Sequence, residues 1–512
     1  MPDTSTNNKR IAKNTIFLYL RMILIMLITL YTSRVILKEL GVSDYGIYNV
    51  VGGVVTMLSF FNSSMASSTQ RFLTFELGKG NEENLKKVFA ASLNIHIVIA
   101  LVIVLLAETI GLWFVNEKLV IPDDRIVAAN WVYQFSILTF CVNIIQVPYN
   151  AVLIAHEKMN IFAYISILEV LLLLGIVYLL DVSPFDKLIS YAVLYFIVRL
   201  LIRGIYQFYC KRHYIESKFR LYWNKEVYRK MSSFAGWNLF GSIAWLLRDQ
   251  GLNIILNMFF GSVINAAKGI TSQVLTGITT FIYNFQTALN PQITKLYAQK
   301  SIPEMENLVY KGIKFSLFLL LCLSLPVFLN IDYILGLWLT VVPEKTSVFI
   351  QLVLIDSLIS TLFGNPLMTS MSATGKIRNY QIIVSTIIIL IIPFSWLALK
   401  LGYPAQSVFI VMIFISAVSG IVRFLFCRKA IGFSAHKFFN DVFNPILRTI
   451  LLAVPIPLIT RYFWLTNDSL LDFSINIALD FLFPLLLAWF IGMKKSERTM
   501  IISLIQAKIN RK

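Results

Sequence analysis

A series of apolar stretches, each about as long as a bilayer is thick, constrains this chain more than any other feature. A helix needs about 20 mostly apolar residues to cross a hydrocarbon core of roughly 30 Å. Fourteen stretches meet that need: 14–36, 46–69, 89–115, 128–154, 160–181, 187–209, 232–258, 264–289, 311–330, 347–371, 379–399, 405–427, 442–464 and 472–493. The longest connection, near 210–231, is too short for a soluble domain. Spans of this length and composition satisfy their backbone polar groups as helices. The sequence therefore predicts an all-α polytopic membrane protein with about fourteen transmembrane helices.

Charge then sets the orientation. The chain carries 45 Lys+Arg against 27 Asp+Glu, a net +18, yet only 14% of its residues are charged, where soluble domains have about 25%. This excludes a soluble enzyme, a disordered chain and a disulfide scaffold. It also argues against nucleic acid as a partner, since that needs basic residues spread on a soluble surface. With both termini placed in the cytoplasm, 32 of the 45 basic residues fall on inner segments and 9 on outer ones. Arg21, Arg199, Arg203 and Arg248 remain inside spans. That bias predicts cytoplasmic termini and an even number of spans. The first stretch follows Lys9, Arg10 and Lys13 but runs on to about Leu37 with no small-residue cleavage site, so it reads as a retained helix. The four Cys and four His show no metal-ligand spacing, and no metal or cofactor is expected.

The spans repeat. Gly41 matches Gly261, GLWFV at 111–115 matches GLWLT at 336–340, and PYNAVLIAHEK at 148–158 matches PLMTSMSATGK at 366–376. Pro184 matches Pro404 and Arg203 matches Arg423, all at offsets close to 220. The expected organisation is two parallel six-helix repeats: an N-lobe at 1–210 and a C-lobe at 232–430, joined by a basic cytoplasmic linker at 211–231. Residues 431–512 add two helices and a basic tail. Parallel repeats of this kind are typical of transporters.

Two spans carry polar faces. Asn49, Thr56, Ser63 and Gln70 recur at helical spacing in the second span, and Gln273, Thr280, Asn284 and Thr287 do so in the eighth. A polar face within a bilayer meets another helix or a wet cavity. Pro291, at the inner end of the eighth span, is expected to end or bend that helix. Cations inside a span cost about 2.5–3.5 kcal/mol at the centre and therefore mark partners or water. Arg21, Arg34, Arg248 and Lys268 lie on spans 1, 7 and 8 and suggest a cationic cavity. Arg binds phosphate oxygens bidentately and Lys as a point charge, so the expected cargo is an anion bearing phosphates. Headgroup snorkelling by Arg34 and Lys268, and a carboxylate partner for Arg248, are the blander readings. Arg203 and Arg423 are expected to anchor to headgroups. Asp249, Glu108, Glu169 and Asp356 are the candidates for a coupling-ion ligand, with H+ and Na+ both open.

The stretch NNKRIAKNTIFLYLRMILIMLITLYTSRVILKELGVSDYGIYNVVGG, followed by SSTQRFLTFELGKG, resembles the bacterial polysaccharide flippases of the Wzx type. These belong to the MOP superfamily with the MATE exporters and the lipid II flippase MurJ. The most specific part is LGVSDYGIYN. The resemblance implies a MATE-like fold with alternating access, located in the cell inner membrane. It implies export of an undecaprenyl-diphosphate-linked oligosaccharide for O-antigen, lipopolysaccharide or another surface polysaccharide, alongside membrane lipids and polysaccharide polymerase machinery as partners. Arg21, Arg34, Arg248 and Lys268 are the positions expected to hold the diphosphate, with Asp249 beside Arg248 as a departure. The rival is a MATE-type cation-coupled multidrug antiporter, whose cavity would centre on carboxylates. A membrane enzyme is not expected, because every outer connection is short and no catalytic motif has a plausible context.

Overall fold

The computed structural model describes residues 4–56, 59–117, 121–218, 222–339, 342–458, 470–499 and 502, and among them every regular element is helical. Ten helices are long and apolar enough to cross a membrane, from Glu82–Glu117 to Leu470–Gly492. They coincide with ten of the fourteen apolar stretches. The other four stretches fall on helices Thr4–Thr56, Ser59–Lys79 and Lys225–Ala298, which are interrupted by polar and charged residues. Large apolar side chains point outward along the long helices, among them Leu101 (65% exposed), Leu105, Ile110 and Trp113 on Glu82–Glu117. An apolar exterior of this kind needs lipid around it, so the protein is a multi-pass membrane protein.

The chain divides into two compact units, one of residues 12–239 and one of residues 240–512 with 1–11. In the first, Ile126–Ala155 packs on Lys187–His213, Ser59–Lys79 and Glu82–Leu106. Two apolar clusters fill it, one around Phe89, Tyr149, Tyr206 and Cys210, the other around Val132, Tyr133 and Ile137. In the second, Thr346–Leu362 packs on Ser407–Ile431 and on Ile302–Leu329, and Leu470–Leu487 also packs on Ile302–Leu329. Its clusters centre on Phe349, Phe409 and Val408, and on Leu320, Leu335 and Ile350.

Gly41 and Gly261, matched in the sequence, share local geometry. Gly41 (φ 75°, ψ 169°) interrupts Thr4–Thr56, and Gly261 (φ 73°, ψ −164°) interrupts Lys225–Ala298. That backbone region is almost closed to residues with a Cβ, which is why glycine stands at both breaks. Cys210 Sγ lies 3.6 Å from the Tyr149 carbonyl, and Cys427 Sγ lies 3.6 Å from the Leu367 carbonyl. Ile126–Ala155 runs through Pro148 unbroken, whereas the segment carrying Pro366, which the sequence matches to it, stops at Leu362 and restarts at Asn365.

That break explains a departure from expectation. Arg423 does not reach for headgroups. It is 5% exposed and donates to the Phe363 carbonyl at 2.7 Å, one of the acceptors freed where the helix stops. Of the two outcomes expected at Pro291, an end is not seen, since the helix continues to Ala298 with Pro291 inside it.

One end of the first unit is tied by ions. Arg125, in the connection after Glu82–Glu117, donates to Asp44 and at 2.6 Å to Asp186. Lys187 reaches Glu39 at 3.0 Å. Asp186 also caps Lys187–His213 by accepting from the Ile189 amide at 3.0 Å. Burial raises the Asp186 carboxyl, but Arg125 and the Ile189 and Leu188 amides outweigh it and hold it below its usual value. Three connections, at 41–46, 122–125 and 182–186, are thereby fixed together.

Candidate functional site

The first unit contains a cavity of about 410 Å³ whose walls come from four helical segments. Arg21, Ile25, Thr29, Thr32 and Ile36 supply one wall. Their steps of three and four residues place them on a single helix face. Tyr45 and Tyr48 follow the Gly41 break. Ser166, Glu169, Val170 and Leu173 come from Met159–Asp181, and Tyr191, Tyr195 and Arg199 from Lys187–His213. The volume falls in the usual range for small-molecule sites, about 300–1,000 Å³.

The charges in this cavity are unequal. Arg199 Nη1 donates to Glu169, and Arg199 Nη2 donates to the Tyr195 hydroxyl at 2.7 Å. Arg21 has no carboxylate within ion-pair distance among the described residues. Its guanidinium lies 4.6 Å from the centroid of the Phe162 ring, and its Nε is buried without a hydrogen-bond partner among the described residues. Two cations against one carboxylate leave the lining net positive. Tyr48 and Tyr191 meet edge to face at 4.9 Å. A positive, tyrosine- and hydroxyl-lined cavity is suited to an anion that also presents hydrogen-bonding and stacking surfaces, because the unpaired guanidinium offers its fork of donors.

The other predicted cations behave differently. Arg248 is 9% exposed and donates to Asp356 Oδ2 at 2.7 Å, while its guanidinium lies 4.8 Å from the Trp245 ring. Lys268 is 4% exposed and bonds the Asp249 carbonyl at 2.9 Å, Asp249 Oδ1 at 3.1 Å and Asn253 Oδ1 at 2.8 Å. These three bonds use all of its N–H donors. They fasten the two arms of the helical hairpin on either side of Gly261. The blander reading of Arg248, a carboxylate on another helix, is what the geometry presents. The side chain of Arg34 lies outside the described residues.

The polar face of the eighth span is largely satisfied within its own helix. In the eighth span, Thr276, Thr280, Asn284 and Thr287 each donate to the carbonyl four residues earlier, at 2.6–3.0 Å, while Gln273 is exposed. In the second span, Gln70 is half-buried, and the side chains of Asn49, Thr56 and Ser63 lie outside the described residues. The neighbouring Ser64 and Ser68 donate to the carbonyls of Ala235 and Met231, at 2.6 and 3.3 Å. Of the carboxylates, Glu169 lines the cavity and pairs with Arg199, Asp356 pairs with Arg248 and Asp249 with Lys268. Glu108 is exposed and accepts from Gln134 at 3.1 Å. Among the described residues no group of three His, Cys, Asp or Glu could hold a metal, and the four cysteines are free.

Sequence reasoning missed the wall opposite Arg21. Arg199 registers only as a basic residue inside a span, although Tyr191, Tyr195 and Arg199 recur every four residues. That periodic face was the available signal.

Fold comparison defines the class. A multidrug resistance MATE transporter of the MOP superfamily, in an outward-facing conformation, superposes with a TM-score of 0.70 at 13% identity, over 84% of this chain and 99% of that one. A MATE structure in the straight conformation gives 0.70 at 13% identity, over 83% and 96%. A MOP superfamily transporter from Pyrococcus furiosus gives 0.66 at 12% identity, over 84% and 99%; its binding pocket is described as reversed in polarity, suggesting a different function. The fold is thus MATE-like. A family model described as "Polysaccharide biosynthesis protein" matches residues 11–309, and the chain belongs to that family. A comparison with curated proteins finds no match.

Proposed function

We propose that this protein is a flippase that carries an undecaprenyl-diphosphate-linked oligosaccharide from the inner to the outer leaflet of a bacterial cytoplasmic membrane, for O-antigen, lipopolysaccharide or related surface polysaccharide. The observation that carries the reading is Arg21, a cation within a membrane span, without an ion pair among the described residues, on the wall of a tyrosine-lined cavity. The Arg21 guanidinium holds a phosphate oxygen pair, and Tyr45, Tyr48, Tyr191 and Tyr195 meet the sugar. Alternating access exposes the bound cargo to one leaflet and then the other. The polyprenyl tail stays in lipid, where its transfer costs nothing.

Membership in a polysaccharide biosynthesis family and the net positive cavity both favour this cargo over a cationic drug. With the termini cytoplasmic, as the charge bias places them, Arg21 lies in the inner half of its span, where a cargo made in the cytoplasm first arrives. Polysaccharide polymerase machinery would receive the product on the outer side. Among the four carboxylates, Glu169 is the one placed on the cavity wall, so a coupling H+ or Na+ would act through the Glu169–Arg199 pair.

The test is a deletion strain complemented with wild type, Arg21→Ala or Arg21→Lys. Arg21→Ala should abolish surface polysaccharide and accumulate the lipid-linked precursor at unchanged protein level, while drug sensitivity stays constant. Normal polysaccharide in Arg21→Ala, or a drug phenotype in the deletion strain, overturns the reading.

A further inference from the structure

Away from that cavity, the first unit carries two adjoining hollows with opposite character. One is an apolar groove of about 390 Å³, lined by Met65, Ile95, Val98, Ile99, Gly236 and Leu239. The other is a polar pocket of about 310 Å³, lined by Glu76, Asn84, Lys87, Tyr222, Glu226 and Lys230. A hydrogen-bonded joint marks where they meet. Asn94 donates to the Tyr222 carbonyl at 3.3 Å and to the Tyr228 hydroxyl at 3.0 Å, and that hydroxyl donates to the Tyr222 carbonyl at 2.9 Å.

Three observations indicate what fits. Trp223, 80% exposed, stands at the groove 4.7 Å from the Tyr228 ring, and amphipathic aromatics of this sort mark the headgroup level of a bilayer. The groove therefore runs from headgroup level toward the hydrocarbon. The polar pocket is of mixed sign. Lys87 pairs with Glu83, and Lys230 with Glu226 at 2.5 Å, so each lysine keeps donors to spare. Glu76 lines the same pocket with one carboxylate oxygen buried and without a hydrogen-bond partner among the described residues.

We infer that these hollows hold one phospholipid with an ethanolamine headgroup, its acyl chain in the groove, its phosphate at Lys87 and Lys230, and its ammonium donating to Glu76. The unsatisfied carboxylate is what selects the headgroup. It repels the purely anionic headgroup of phosphatidylglycerol and the diphosphate of a polyprenyl carrier. It leaves the trimethylammonium of phosphatidylcholine without an N–H to donate. The site is separate from Arg21 and does not depend on what the transporter carries.

The full-length protein, purified in detergent and relipidated separately with phosphatidylethanolamine, phosphatidylglycerol or phosphatidylcholine, would be examined by native mass spectrometry. One phosphatidylethanolamine should be retained roughly tenfold better than either other lipid, the ratio expected for one charge-assisted hydrogen bond. Glu76→Gln should erase that preference. Gly236→Leu should lower retention of all three lipids, because a Cβ at Gly236 meets nothing within 4 Å and a larger side chain fills the groove without disturbing the helix. Equal retention of the three lipids by wild type, a preference that survives Glu76→Gln, or unchanged retention in Gly236→Leu each overturns the proposal.

Discussion

Removing Asp356 separates a structural from a cargo-binding role for Arg248. The pair is buried, with Arg248 Nη2 2.7 Å from Asp356 Oδ2 and both side chains at or below 10% exposure. Asp356→Ala removes the carboxylate that this buried guanidinium pairs with, and breaking a buried pair from one side costs about 3–5 kcal/mol. For a unit of this size that corresponds to a fall in melting temperature on the order of 10 °C. Replacing both partners by apolar residues of similar volume, Arg248→Met with Asp356→Leu, removes the charge and its desolvation together, and such exchanges are often neutral or stabilising. The assay is thermal unfolding of the purified protein by intrinsic tryptophan fluorescence, with surface polysaccharide measured in parallel. The single variant should melt early and make little polysaccharide. The double variant should recover both. Recovered melting with polysaccharide still lost would refute the structural account and return Arg248 to the cargo.

Other perturbations follow from the same geometry. Gly41→Ala and Gly261→Ala should each destabilise by on the order of 1–3 kcal/mol through backbone strain alone, since no neighbouring atom lies within 4 Å of the added Cβ; equal melting of wild type and both variants would contradict this. Glu497→Ala strands Lys314, which is 1% exposed and held by Glu497 at 2.6 and 2.7 Å, and should lower the melting temperature as much as Asp356→Ala does. Asp186 has a depressed carboxyl, so its stabilising contribution is complete above its ordinary pKa near 3.8 and is lost as pH falls through the lower folded value. Melting measured from pH 6 down to pH 3 should therefore decline at the acid end, and Arg125→Ala should flatten that decline.

How much of this was legible in the sequence depended on the range of the interaction. The helical membrane architecture could be read directly, because span length and backbone satisfaction are local properties. Gly41 and Gly261 were visible as matched anchors, and the reason glycine is needed at each is a single-residue property. The cavity was half visible. Arg21 stood out because an in-span cation is costly, but Tyr191, Tyr195 and Arg199 face it only through packing of helices distant in sequence. Arg248 and Asp356 are 108 residues apart, and no periodicity states how two spans rotate against each other. Lys268 looked like a residue near a helix end, free to snorkel; the turn at Gly261 brings Asp249 and Asn253 back to it instead. The break at Phe363 that occupies Arg423 was hidden because the segment the sequence matches to it, with its own Pro148, stays helical.

The claim at the centre of this account is that Arg21 binds the phosphates of the cargo. Its most direct measurement is translocation of a lipid-linked oligosaccharide in vesicles reconstituted with purified wild type, Arg21→Ala or Arg21→Lys, read by the access of an added glycosidase to the sugar. Arg21→Ala should translocate no faster than protein-free vesicles. Arg21→Lys, which keeps a point charge but loses the bidentate fork, should fall between that level and wild type. Wild-type translocation by Arg21→Ala, in protein that melts at the wild-type temperature, would contradict the account.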